Sequence, residues 1–144
     1  MLRIGVVGYG YWGPNIARNF NACEKAQLVS ICDVDERRMK LAKSAFPFIK
    51  EYSDPYELMK SDDIDAVAVV TPVYLHHKLA KYALECGKHV FVEKPFTSTV
   101  SQGEELINLA EKKGLMIMVD HTFLFTGSVR KMKEIMDSNE LGDL

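Results

Sequence analysis

The sequence predicts a doubly wound α/β domain, a mainly parallel sheet with helices on both faces. Three observations predict it. Short apolar runs alternate with longer amphipathic stretches along the whole chain. Residues 66–70 (AVAVV) are apolar without a break, as a strand covered on both faces must be. Glycine and proline punctuate the longer stretches, at Gly13-Pro14, Pro55, Gly87 and Gly114.

Each element follows from its own residues. Residues 3–7 are a β-branched run that ends in glycine, and residues 11–21 read as a helix with Pro14 in its first turn. Residues 28–32 form the second apolar run. The helix over 35–45 turns Arg37, Arg38, Lys40 and Lys43 outward and Met39, Leu41 and Ala42 towards the core. A weak strand over 49–52 precedes a short helix over 55–60, with Asp54 as N-cap and Pro55 at its first position. The strand 66–70 is followed by a helix over 76–85 that Gly87 stops. Residues 89–92 are another buried strand, 101–113 a helix ended by Gly114, and 116–119 a further strand. The last helix, 129–137, places Val129, Met132, Ile135 and Met136 on one face. Residues 139–144 read as a helix end, a turn and the start of another strand. Connections between parallel strands are expected to be right-handed.

Composition narrows the function. The 144 residues suit one domain, with 47% hydrophobic and 26% charged residues. A formal charge of −2 speaks against a nucleic-acid or anionic-membrane footprint. The three cysteines, Cys23, Cys32 and Cys86, form no CxxC pair, so neither a zinc site nor a disulfide framework is expected. Buried or partly buried free thiols in a reducing cytoplasm are expected instead. The opening residues do not resemble a signal peptide, and no apolar run reaches the roughly 20 residues of a membrane span.

Gly8-Tyr9-Gly10-Tyr11-Trp12-Gly13 matches G-x-G-x-x-G between a strand and a helix. Gly8 allows the tight turn, Gly10 the close approach of a pyrophosphate, and Gly13 the packing of helix on strand. The helix N-terminus then offers amides and a positive dipole end. Asp33 stands just past the second strand, about 20 residues beyond Gly13, where a carboxylate accepts from ribose hydroxyls. It favours NAD over NADP, although Arg37 or Arg38 could reach back to tolerate a phosphate. Tyr9, Tyr11 and Trp12 either pack on a cofactor or serve ordinary loop packing.

Polar residues collect after the other strands, where ligands of such sheets bind. Thr71, Pro72 and His76 follow the strand 66–70; Glu93, Lys94 and Pro95 follow 89–92; Asp120, His121 and Thr122 follow 116–119. Thr71 could instead cap the following helix, His76 could lie on a helix surface, and Lys94 could be a surface lysine. His77 is expected to be simply exposed.

Val69-Val70-Thr71-Pro72 with His76, Ala83, Gly87-Lys88-His89-Val90 and Glu93-Lys94-Pro95 resembles the Gfo/Idh/MocA family of oxidoreductases. The likeness runs from Ile4 to about Gly142. Residues 121–125 resemble its nucleotide-sugar dehydrogenase branch more loosely, and an arginine common in relatives is absent there. The resemblance implies a Rossmann domain that binds NAD(P), paired with a C-terminal substrate domain absent from this chain. It implies hydride transfer between nicotinamide and a sugar, cyclitol or nucleotide sugar. It makes Lys94 the catalytic residue, partly buried beside the substrate hydroxyl. Thr71, Pro72, His76, Glu93 and Pro95 would contact cofactor, and His121 and Thr122 would face substrate. Without its partner domain the chain is expected to bind cofactor with little turnover and to form a homo-oligomer. The alternative is a non-enzymatic NAD-binding redox sensor, which has no need of a lysine at the nicotinamide end.

Overall fold

The computed structural model describes residues 1–138 and Gly142. Its sheet has six strands, all parallel: β1 (Leu2–Val7), β2 (Ala26–Cys32), β3 (Lys50–Tyr52), β4 (Ala66–Val69), β5 (His89–Val92) and β6 (Ile117–Val119). The spatial order is β3-β2-β1-β4-β5-β6. The chain winds outward from β1 in one direction, then returns and winds outward in the other. β1 and β4 meet at the point of reversal, where open α/β sheets bind ligands.

Among the described residues six α-helices connect and follow the strands: α1 (Gly13–Ala22), α2 (Glu36–Ala45), α3 (Pro55–Lys60), α4 (Val73–Glu85), α5 (Val100–Lys113) and α6 (Gly127–Asp137). Alternate residues of the strands serve two cores. Val7, Val67, Val69, Val90 and Val92 pack against Leu58, Met59, Leu79, Leu84 and Leu106 from α3, α4 and α5. Ile4, Val6, Leu28, Ile31, Ala66 and Ala68 pack against Ile16, Ala17, Met39 and Ala42 from α1 and α2. A sheet covered in this way needs unbroken apolar strands, and β4 is buried at all four positions.

The expected order of elements is the observed one, and the differences lie mostly at boundaries. Helix α1 begins at Gly13 rather than at 11, because Tyr11 and Trp12 stay in the loop. Helix α4 begins at Val73, directly after Pro72, three residues before the expected start. A 3-10 turn over Thr122–Phe125 was not expected. Leu41 is 66% exposed instead of facing the core. Cys23 is exposed, while Cys32 is buried and Cys86 half-buried. The apolar face of α6 has no buried residue. The strand expected near the C-terminus lies outside the described residues. Among the described residues no helix is long and apolar enough to cross a membrane.

Candidate functional site

The site begins where β1 ends, between β2 and β4. Gly8 turns the chain with a φ of 98°. A Cβ there would stand 2.4 Å from the Val70 carbonyl oxygen, and one at Gly13 would stand 2.5 Å from the Gly8 carbonyl oxygen. Loop, strand end and helix therefore press together with room for hydrogen only. Trp12 is the N-cap of α1, and no side chain caps that helix. Pro14 carries no N–H and the Asn15 N–H donates to the Trp12 carbonyl at 3.0 Å, so the Gly13 N–H and the positive dipole end are what the helix offers another acceptor.

Asp33, buried at the end of β2, fastens this loop. Its Oδ2 accepts from the Tyr9 N–H at 2.6 Å and its Oδ1 from the Asp35 N–H at 2.9 Å. Tyr9 thus contributes its backbone, while its ring is buried in the core beside α1 and α2. Of the two arginines that sequence left open, Arg38 lines the cavity and Arg37 does not. The Arg38 guanidinium lies 3.6 Å from Asp33 and 3.7 Å from Asp35.

A cavity of about 680 Å³ crosses four adjacent strand ends, from Asp33 past Gly8 to Thr71 and Lys94. Its size falls in the usual range for ligand sites. Gly10, Tyr11, Trp12 and Pro72 also line it. Thr71 does not cap α4, whose N-cap is Pro72. Its hydroxyl oxygen is buried and has no hydrogen-bond partner among the described residues.

His76 is not a surface residue. It is 1% exposed, with Nε2 2.7 Å from the Thr71 carbonyl oxygen and Nδ1 2.9 Å from that of Pro95. Its ring ties the loop after β4 to the loop after β5, behind the cavity wall. His77 is half-buried and reaches Glu105 of α5 at 2.7 Å, which corrects its expected free exposure.

Glu93 is buried, and its Oε2 accepts from the Lys94 N–H at 2.9 Å. Burial, then the charge of Asp120, pushes the Glu93 carboxyl above the usual carboxylate range. Lys94 itself is exposed, so the expected partial burial is absent, yet it borders the large cavity and a second one. Pro95 follows through a cis peptide bond. The second cavity, of about 320 Å³, lies between α1 and the ends of β5 and β6. Thr122 lines it, whereas exposed His121 borders neither cavity. Asn15 and Asn19 also line it and were not singled out from sequence, although their i, i+4 spacing puts them on one helix face. Asp120, noted only as a strand end, is buried there too.

These residues fit a dinucleotide. An uncapped helix end faces the cavity, a cradle at Gly8 and Gly13 excludes any side chain, and a buried threonine hydroxyl wants a partner. Among the described residues no group of three His, Cys, Asp or Glu side chains is placed to hold a metal ion.

An all-parallel doubly wound sheet with this glycine loop defines an NAD-binding Rossmann domain. The sequence pattern of an oxidoreductase family with an NAD-binding Rossmann fold matches residues 2–121, and the chain belongs to this family, Gfo/Idh/MocA. It is 35% identical over 144 residues to the uncharacterized oxidoreductase YdgJ of Escherichia coli, covering 99% of this chain and 41% of that protein. It is 30% identical over 141 residues to the myo-inositol 2-dehydrogenase of Thermotoga maritima, covering 98% and 42%. Scyllo-inositol dehydrogenase from Lactobacillus casei, solved with NAD(H) and scyllo-inositol, superposes with a TM-score of 0.90 at 28% identity, covering 99% of this chain and 43% of that one. The 3-ketoreductase KijD10 of Actinomadura kijaniata, solved with NADP and TDP-benzene, gives 0.88 at 29%, covering 96% and 42%. The chain thus spans less than half the length of these relatives.

Proposed function

We propose that this chain is the cofactor-binding part of an oxidoreductase that moves a hydride between nicotinamide and a sugar, cyclitol or nucleotide-sugar carbon. The observation that carries the reading is the cavity running from Asp33 past the glycine loop to Lys94. The N-terminus of α1, through the Gly13 N–H and the helix dipole, holds the pyrophosphate, with the Thr71 hydroxyl and Pro72 as further walls. Asp33 accepts from ribose, and the loops that His76 ties together hold the nicotinamide side. Nicotinamide, when bound, takes or gives the hydride. Lys94 is the catalytic residue: its ammonium orients the substrate hydroxyl and exchanges its proton. Thr122 and His121 lie on the substrate side.

Residues outside this chain complete the substrate site, because hydride transfer needs the reacting carbon held at about 3–3.5 Å. The chain alone therefore binds cofactor with little turnover. A reducing cytoplasm suits its free thiols.

NAD is the preferred cofactor. Asp33 repels a 2′-phosphate, and Arg38 offsets that repulsion only in part from 3.6 Å. Titration with NADH and NADPH, followed by fluorescence of Trp12, the only tryptophan, tests both points. Saturable quenching by NADH and weaker binding of NADPH are expected. Arg38→Ala weakens NADPH by about tenfold, roughly 1.4 kcal/mol, and leaves NADH nearly unchanged. A folded sample that responds to neither nucleotide overturns the reading.

A further inference from the structure

Glu93 and Asp120 stand one residue past Val92 and Val119, which are register partners in β5 and β6. Their backbone N–H groups donate to Val69 and Val92 of the neighbouring strands at 3.0 and 2.9 Å, so the sheet fixes both residues side by side. Both side chains are buried, at 7% and 9% exposure. Neighbouring strands lie about 4.8 Å apart, and both side chains line the second cavity, so the two carboxyls share one small space. Two buried carboxyls that share one site do not both hold their charge, so one proton stays between them. Among the described residues neither carboxyl has an ion-pair partner within 4.0 Å. The Glu93 Oε2 accepts from the Lys94 N–H at 2.9 Å.

We propose that Glu93 and Asp120 share one proton and act as a unit of single negative charge beneath Lys94, which makes Asp120 a positioning residue for that lysine. Two full charges would draw the Lys94 ammonium down onto the carboxyls. One charge leaves the ammonium at the mouth of the cavities, while the Glu93 oxygen still grips its backbone. The role given to Lys94 rests on the function proposed above; the shared proton does not.

The surroundings support this assignment. From α1 the pair meets the neutral side chains of Asn15 and Asn19, with the Cys23 thiol in the same cavity, and Thr122 lines it after β6. Lys94 is the cation acting on Glu93, and its charge and N–H favour ionisation. Burial and the neighbouring Asp120 outweigh them and raise the Glu93 carboxyl.

The test is a pH titration of the chain with carbon-labelled side-chain carboxyls and nitrogen-labelled backbone, read by NMR. The Glu93 carboxyl is expected to titrate above the ordinary glutamate range, and the Lys94 amide shift to follow the same step. Asp120→Asn removes the second acid but keeps a polar side chain of the same shape, so the Lys94 amide stays in place while the Glu93 midpoint moves down. Asp120→Leu leaves Glu93 without a polar neighbour on β6 and displaces the Lys94 amide. Glu93 titrating in the ordinary range, or unmoved by Asp120→Asn, overturns the proposal. Should Asp120→Leu fail to fold, Asp120→Asn decides alone. Trp12 quenching by NADH on the same samples decides the functional reading separately from the pair.

Discussion

Gly13 has no space for one more carbon. A Cβ would meet the Gly8 carbonyl oxygen at 2.5 Å, and that atom is backbone, in a residue whose N–H donates to the Cys32 carbonyl of β2 at 2.8 Å. Gly13→Ala is therefore expected to cost about 1–3 kcal/mol, as overpacking does, and to weaken NADH binding as the loop shifts. Urea denaturation and Trp12 titration of the variant check both effects. The glycines, Asp33 and Lys94 were legible in the sequence because each lies at a fixed short offset from a strand end. Their partners were not. The Tyr9 amide is 24 residues from Asp33, and the Pro95 carbonyl is 19 from His76. Side chains that meet through folding leave no local spacing to read, which is why the Tyr9 ring and His76 needed the structure. Asp120 escaped for the same reason: its partner lies on another strand.

At the scale of elements, the Arg3–Asp65 pair ties β1 to the start of β4. The Asp65 carboxylate accepts from the Arg3 backbone N–H at 2.8 Å and from its guanidinium at 2.6 Å. These hydrogen bonds hold the Asp65 carboxyl at about 2, below its ordinary 3.8. A lowered acid stabilises the fold above its ordinary value and loses that contribution as pH falls towards the folded value. Thermal unfolding is expected to show stability falling from pH 3.8 towards about 2, with a shallower fall in Arg3→Ala. The difference is small, since both side chains are over a third exposed and water screens them. The elements themselves were legible because period and punctuation are local properties. Boundaries were less so. The apolar, partly β-branched Val73-Tyr74-Leu75 does not announce a helix, yet α4 starts there because Pro72 fixes the preceding turn. The 3-10 turn Thr122–Phe125 carries no periodic signal at all.

At the scale of the molecule, the chain after β6 exposes several large apolar side chains. Phe123, Leu124 and Phe125 are 60–72% exposed, and Met132 and Met136 are 62% and 51% exposed. Such a surface promotes association, and we propose that the chain forms a homo-oligomer through it. Sedimentation velocity is expected to show concentration-dependent dimers, which Phe123→Ser with Met132→Ser reduces to monomers. A parent chain that stays monomeric at high concentration refutes the assignment. The strand order carries a consequence for how the protein is made. Gly8 is synthesised early, but the wall it leans on is the Val70 carbonyl, and Lys94 and Asp120 come later still. At roughly 5–20 residues per second, a ribosome holds the glycine loop without its walls for several seconds. Cofactor therefore cannot template the first strands of a nascent chain, and excess NAD in a translation extract should speed only the final steps of maturation.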